Sequence, residues 1–197
     1  MKKVLIAILL TVGLVNCFSA QELDSTKTTE KQKPKIVIAI NFGAATIKYK
    51  PAFIIEALYG LKYKKNTFAF NYTANELTIN DAAIKSYVSK PVYSYQNFGY
   101  VHFYDLIQQD KSDVAVKLGV HYAEFGLKDL STTSFFHTGN MLNIDRLVSF
   151  TPGINYRYGM LNVELEYRYS IALRKSNVYE PKMTNGLTAK LGIRISK

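Results

Sequence analysis

The sequence predicts an all-β fold, an eight-stranded antiparallel up-and-down transmembrane β-barrel. Three observations lead to it. The stretch 153–172, GINYRYGMLNVELEYRYSIA, alternates apolar and polar residues on both sides of a short turn, as a β-hairpin does. The connections between predicted strands are alternately short and long, which is typical of outer-membrane barrels. The clearest strands are about 10 residues long, the length that a tilted membrane-crossing strand needs.

The second half of this hairpin, 161–172, sets the pattern for the whole chain. Its odd-numbered positions are apolar from Leu161 to Ile171, whereas its even-numbered positions carry Glu164, Glu166 and Arg168. Side chains alternate between the two faces of a strand, so one face is apolar and the other is charged. A lipid-facing barrel wall requires this arrangement.

The N-terminal residues predict a secretory signal peptide over 1–20. Lys2 and Lys3 precede an apolar run and small residues follow, which predicts cleavage near Ala20. The apolar run has about twelve residues, too few for a spanning helix, which needs about 20. Lipidation of Cys17 stays as a minor alternative, although Asn16 before it is not small. Residues 21–35 mix charges of both signs without aromatic residues and predict a flexible periplasmic leader.

The remaining residues, 36–197, form the predicted barrel domain, whose strands follow one another with short connections after the second, fourth and sixth strands and longer ones after the third, fifth and seventh. A ten-stranded barrel stays open, because residues 74–79 and 87–94 could prolong a hairpin above the membrane. The eight predicted strands cover residues 36–43, 53–63, 67–73, about 95–106, 114–123, about 147–158, 161–172 and 187–195.

The charged row is predicted to face the barrel interior and to form a structural ion-pair network. An eight-stranded barrel has an interior that side chains can fill, and buried charges persist only when they are paired and hydrogen-bonded. The expected result is a plugged lumen without a wide pore. The predicted network comprises Glu56, Lys62, Lys117, Arg157, Glu164, Glu166, Arg168, Lys190 and Arg194.

No catalytic, cofactor-binding or metal-binding residues are predicted. Glu164 and Glu166 share a face, but cationic residues share it too, which disfavours acid/base catalysis. A lipid-modifying enzyme is the minor alternative, because His137 lies near Ser134 and Asp145, although no nucleophile elbow accompanies them. His102 and His121 lack metal-ligand spacing.

The positive charge predicts anionic lipid as the partner. The net charge of +10 falls to +8 when residues 1–20 are removed, since they carry two lysines and no acids. The basic residues are dispersed and no nucleic-acid motif is present, so nucleic acid is not an expected partner. Attraction to the head groups of outer-membrane lipid and lipopolysaccharide is the expected use of such a surface.

Three segments, GINYRYG, LNVELEYRYSIAL and the closing LTAKLGIRI, give the chain a resemblance to the small outer-membrane β-barrel proteins of Gram-negative bacteria. It resembles especially the Bacteroidota barrels grouped with the OmpA-like, OmpX-like and PorT-like families. The resemblance covers about residues 36–197 and is one of pattern. It implies a porin-like fold in the outer membrane of the cell envelope, insertion by the barrel-assembly machinery, and a structural or surface-interaction role through long extracellular loops with an unidentified partner. No enzymatic activity is expected, because the residues favour no catalytic arrangement.

The main alternative is a soluble periplasmic barrel of lipocalin type that binds an apolar ligand. Periodicity alone does not decide which row of side chains faces inward, so the same strands could surround an apolar interior. The connection lengths and strand lengths favour the membrane barrel.

Overall fold

The computed structural model describes residues 33–47, 50–78, 80, 85, 90–129, 141–173 and 184–196. Neighbouring strands pair antiparallel, and the first strand is hydrogen-bonded to the last, which closes the sheet into a ring. The predicted all-β barrel fold is thereby confirmed. Within the described residues the strands are β1 (Lys35–Ile47), β2 (Lys50–Tyr63), β3 (Asn66–Thr78), β4 (Pro91–Gln108), β5 (Ser112–Asp129), β6 (Met141–Phe150), β7 (Gly153–Tyr158), β8 (Leu161–Ala172) and β9 (Gly186–Ser196).

Strands β6 and β7 together form one barrel strand. Both pair with β5 on one side and with β8 on the other, and the register is the same before and after the gap. Only Thr151 and Pro152 separate them, and Thr151 still exchanges two backbone hydrogen bonds with Gly119 of β5. Proline has no N–H to donate, so it interrupts the ladder locally without ending the strand. The nine segments therefore make eight barrel strands.

The strands are steeply tilted against the barrel axis. A path along paired residues that starts at Lys35 of β1 runs once around the ring and returns to β1 at Ala45, ten residues farther along. Ten residues advance by about 33 Å, while eight strand spacings add up to about 38 Å, so the tilt is about 40°. A twelve-residue strand then spans about 30 Å along the axis, enough for an apolar band about 25 Å tall.

Apolar and charged rows lie on opposite faces of the wall. On β8, Leu161, Val163 and Leu165 are 44%, 39% and 52% exposed, whereas Glu164 and Arg168 are 1% and 2% exposed. The other strands repeat this alternation, with isoleucine, phenylalanine and tyrosine side chains outside on β1, β2, β7 and β9. Exposed apolar surface on this scale marks contact with a membrane or a partner.

Strands β4 and β5 extend farther than predicted. They run over 18 residues each, whereas the sequence predicted 95–106 and 114–123. The hairpin of β3 and β4 is also prolonged, since Thr78 pairs with Val92. The described strand residues of the ranges 74–79 and 87–94, which are 74–78 and 91–94, therefore lengthen β3 and β4 and do not add a ninth and tenth strand to the barrel. At a tilt of about 40°, strands of this length extend about 20 Å beyond the apolar band.

The two ends of the barrel differ as the connection lengths predicted. Short turns follow β2, β4 and β7 at one end, called here the turn end, where β1 begins and β9 ends. The connections after β3, β5 and β8 are longer and lie at the opposite end, the loop end, together with the brief connection after β1. The predicted signal peptide and nearly all of the predicted leader lie outside the described residues, and β1 begins at Lys35, one residue earlier than predicted. None of the described residues forms a helix long and apolar enough to span a membrane.

Candidate functional site in the barrel lumen

Five charged side chains meet in the middle of the lumen and are called here the central cluster: Glu56, Lys117, Glu164, Glu166 and Lys190. All are at most 6% exposed. The Lys117 ammonium lies 2.6 Å from Glu164 Oε1, 2.5 Å from Glu166 Oε2 and 3.6 Å from Glu56 Oε1. Lys190 lies 2.8 Å from Glu56 Oε2 and 3.2 Å from Glu166 Oε1, and it also contacts Glu164. Each lysine therefore bridges the same three carboxylates.

Asparagine side chains support the central cluster from the wall. Glu56 accepts hydrogen bonds from Asn41 Nδ2 at 2.9 Å and Asn71 Nδ2 at 2.8 Å. Asn41 Oδ1 in turn accepts from Asn162 Nδ2, and Asn162 Oδ1 accepts from Asn155 Nδ2. This chain of hydrogen bonds joins side chains of β7, β8, β1, β2 and β3. A buried carboxylate keeps its charge at lower cost when such donors satisfy its lone pairs.

A second group of charges lies nearer the turn end and is called here the turn-side cluster: Lys62, Asp105, Asp113, Arg157 and Arg194. Asp105 is fully buried, contacts the Arg157 guanidinium and lies 2.8 Å from Lys62 Nζ. Asp113 lies 3.5 Å from both of these cations. Arg194 donates to Thr67 Oγ1 at 3.0 Å and lies over the Phe103 ring.

The two clusters carry opposite excess charge. The central cluster holds three carboxylates and two ammonium groups, whereas the turn-side cluster holds two carboxylates and three cations. Their formal charges of −1 and +1 cancel. Low dielectric surroundings strengthen such attraction between buried charges, so the clusters stabilise one another only while both stay ionised.

Arg168 belongs to neither cluster, although the sequence grouped it with them. Its guanidinium donates from Nε to the Thr184 carbonyl oxygen at 2.7 Å and from one terminal nitrogen to the Thr46 carbonyl oxygen at 2.8 Å. It also lies 4.1 Å from the centre of the Tyr95 ring, within cation–π distance. Arg168 thus ties together chain segments near the loop end.

Apolar side chains occupy interior space around the charges. Toward the loop end, Tyr95, Phe125 and Leu147 pack in one buried cluster, and Tyr93 stacks on Phe125. Elsewhere in the interior, Val101 and Phe103 pack in another. Strand β2 contributes Leu58 to the latter cluster and Ile54 to the interior.

Eight of the nine side chains predicted for the network lie in the two clusters, and the polar partners missing from the prediction include Asp105, Asp113, Asn41 and Asn71. Asp105 lies on a strand whose alternation is ambiguous in the sequence, and Asp113 is the last residue of a turn sequence, QQDKSD, that resembles a solvated loop. Asn41 and Asn71 carry no charge, so charge alternation alone does not find them. The alternation of side chains along a strand could have identified all four, because each lies at an inward-facing position of its own strand.

The described residues do not test the enzymatic alternative. His137 and Ser134 lie outside the described residues, and Asp145 is partly buried on β6. Glu164 and Glu166 each contact Lys117, so they do not form an isolated pair of carboxylates. Within the described part of the chain, no group of three His, Cys, Asp or Glu side chains is placed to hold a metal ion.

The lipocalin-type alternative requires an apolar interior, whereas this interior holds charged side chains beside the apolar ones. The largest fully buried side chains include Arg168, Lys117, Glu56 and Glu164 beside Tyr95 and Phe103. Most of the exposed large apolar side chains lie on the outer rows of the strands.

Comparison with known proteins supports the fold. No protein-family model and no curated protein matches the chain. It is similar in structure to Neisserial surface protein A, with a TM-score of 0.53 and 12% identity over 82% of this chain and 96% of that one. It also aligns with a major outer membrane protein from Thermus thermophilus, with a TM-score of 0.48 and 10% identity over 83% of this chain and 100% of that one. A third alignment, with the attachment invasion locus protein Ail of Yersinia pestis, has a TM-score of 0.40 and 9% identity over 82% of this chain and 97% of that one. The alignment with Neisserial surface protein A, together with the closed ring of antiparallel strands, shows the fold of a small outer-membrane β-barrel.

Proposed function

We propose that this protein is an integral outer-membrane barrel whose lumen is closed by ion pairs and whose long loops serve a structural or surface-interaction role. The observation that carries the proposal is the opposite placement of the two rows on β8, with leucines outside and glutamates inside. Hydrocarbon accepts a closed barrel because its backbone groups are all hydrogen-bonded between strands. The short turns then face the periplasm and the longer connections face the outside, as in bacterial outer-membrane barrels.

Aromatic side chains support this placement in a bilayer. Tyr63, Tyr156 and Tyr158 are exposed near the turn end, and Tyr167 and Tyr169 are exposed toward the loop end. Tyrosine has an apolar ring and a polar hydroxyl, so it suits the boundary between hydrocarbon and head groups. The two groups lie on either side of the apolar residues of β8 and β9.

The lumen supports a structural role and not a transport role. The central and turn-side clusters cross the interior, and apolar clusters fill space beside them. An eight-stranded barrel has just enough interior for its own side chains. We therefore expect the purified protein to give no stable conductance in planar bilayers.

Cell fractionation tests the location. The mature protein is expected in the outer-membrane fraction, with cleavage near Ala20, and with heat-modifiable migration in detergent gels. Recovery of the wild-type protein from the soluble periplasmic fraction without detergent would contradict the proposal.

Two acidic substitutions test whether the outer row of side chains contacts lipid. Val163 is 39% exposed within the apolar band, so Val163→Asp should impair insertion, because a carboxylate would face hydrocarbon. The matched control is Met160→Asp, which places the same charge in the exposed turn after β7 and should insert like the wild type. Equal insertion of both variants would argue against lipid contact at position 163.

A further inference from the structure

Five exposed lysines lie at the turn end of the barrel and are called here the lysine rim: Lys33, Lys35, Lys64, Lys65 and Lys111. They come from the start of β1, from the turn between β2 and β3, and from the turn between β4 and β5. Asp110 is the exposed acid among the described residues of these segments. The rim therefore carries a strong local excess of positive charge.

The rim lies directly beside the apolar outer surface. Ile36 and Tyr63 next to it are each 46% exposed, and the Lys64 ammonium lies 5.8 Å from the centre of the Tyr63 ring. A lysine at such a boundary can lay its methylene chain along apolar surface and hold its ammonium at the level of lipid phosphates. Lysine is a compact point charge that suits a phosphate group.

We propose that the lysine rim binds the head groups of anionic phospholipid in the leaflet at the turn end. The inference rests on the proposed membrane location and adds to it a specific lipid class at one end of the barrel. Charge complementarity favours this occupant, because several lysines near an anionic membrane surface each contribute attraction. The described residues of the loop end carry a smaller excess: Lys50, Lys85 and Lys90 are exposed there, but Lys128 pairs with Glu76, Arg146 lies near Glu124 and the Lys90 amide donates to Asp129.

A tryptophan reporter tests the proposal. The chain contains no tryptophan, so Tyr158→Trp places a single one on the outer face near the turn end, where Tyr158 is 54% exposed. Leu187→Trp places another at the loop end, where Leu187 is 61% exposed. Each variant is folded into phosphatidylcholine vesicles that contain brominated phosphatidylglycerol or brominated phosphatidylcholine, and quenching gives the relative association constant of the two lipids.

Three substitutions then remove the positive charges of the rim lysines that lie in turns: Lys64→Asn, Lys65→Gln and Lys111→Gln. Asparagine replaces Lys64 because that residue has a φ of 52°, which asparagine tolerates. The matched control removes three loop-end lysines with Lys50→Gln, Lys85→Gln and Lys90→Gln, all of which are exposed.

We expect the turn-end reporter to show a preference for phosphatidylglycerol of about fivefold, the factor that corresponds to one lysine near an anionic surface. The preference should fall in the rim variant, which keeps Lys33 and Lys35, and it should fall to near unity in about 1 M salt, whereas it should persist in the control. No preference at the turn-end reporter, or the same preference in the rim variant, would overturn the inference. Absence of quenching by any brominated lipid would instead contradict the membrane location itself.

Discussion

Replacement of Lys117 with methionine removes the ammonium group that three carboxylates share in the central cluster. Lys117 Nζ lies 2.6 Å from Glu164 and 2.5 Å from Glu166, and the side chain is fully buried. The variant leaves three carboxylates around Lys190 alone. Removal of one partner from a buried ion pair costs about 3–5 kcal/mol, because an uncompensated charge stays in a low-dielectric interior. We expect a loss of unfolding free energy of that size.

A double-mutant cycle isolates the ionic part of this loss. Glu164→Gln alone should destabilise the barrel by about 1–3 kcal/mol, because it leaves both lysines with fewer charged partners. The double variant Lys117→Met, Glu164→Gln should cost about 1–3 kcal/mol less than the sum of the two single changes, since it removes one charge of each sign.

Urea unfolding of the refolded barrel in detergent micelles, followed by tyrosine fluorescence and by gel migration, measures these free energies. The matched control is Lys111→Met, which removes an exposed lysine and should change stability by no more than about 0.5 kcal/mol. Strict additivity of the two single changes, or a Lys117→Met variant as stable as the control, would refute the assignment of the central cluster as an interacting unit.

Three further changes test other parts of the structure. Leu165→Arg on the outer row should destabilise the folded barrel in bilayers by about 2–4 kcal/mol, whereas Leu161→Arg near the turn end should cost at most about 1 kcal/mol, and equal losses would argue against a depth-dependent lipid contact. Gly43→Ala should cost about 1–3 kcal/mol in a urea titration, since its Cβ would overlap the backbone of β9, whereas Gly159→Asn, with φ of 59° and open space around it, should be neutral. Arg168→Met should increase protease cleavage between β8 and β9, because its two hydrogen bonds to backbone carbonyls are lost, and unchanged cleavage would contradict its role as a tie.

The outer and inner rows of β8 and β9 could be predicted because their chemistry alternates cleanly. Residues 161–172 place every charged side chain on one parity, and a strand has only two faces. Sequence alone did not decide which face was inside. The connection lengths favoured the charged face, and Glu164 at 1% exposure lies there.

The ends of β4 and β5 could not be predicted for a physical reason. Beyond the apolar band, the even-numbered positions of β4 and β5, which carry the outer row, become polar. Ser94 and Gln96 on β4 and Glu124 on β5 are examples. The alternation of apolar and polar residues that is typical of a lipid-facing strand therefore disappears there. The pairing of β4 with β5 nevertheless continues to the end of both strands, where Pro91 pairs with Asp129. The pattern therefore marked only the part of each strand whose outer face is apolar.

The pairing of individual charges depends on register and bulges that no local pattern shows. The register between β4 and β5 shifts between Asp105 and Ile107, next to the carboxylate that contacts Arg157. Arg168 lies on the same row as Glu164 and Glu166, but its height on the tilted strand brings it to Thr46 and Thr184 instead. The alternation of residues along a strand predicts which face of the wall a side chain is on. The tilt of the strands and their register around the barrel decide which side chains it contacts.

Nuclear Overhauser contacts between lipid acyl chains and the side chains of β8 test the central claim most directly. In the refolded protein in lipid, Leu161, Val163 and Leu165 should show contacts to acyl-chain protons. The side chains of Asn162 and Glu164 between them should show none. Acyl-chain contacts at Glu164, together with their absence at the three apolar residues, would contradict the account.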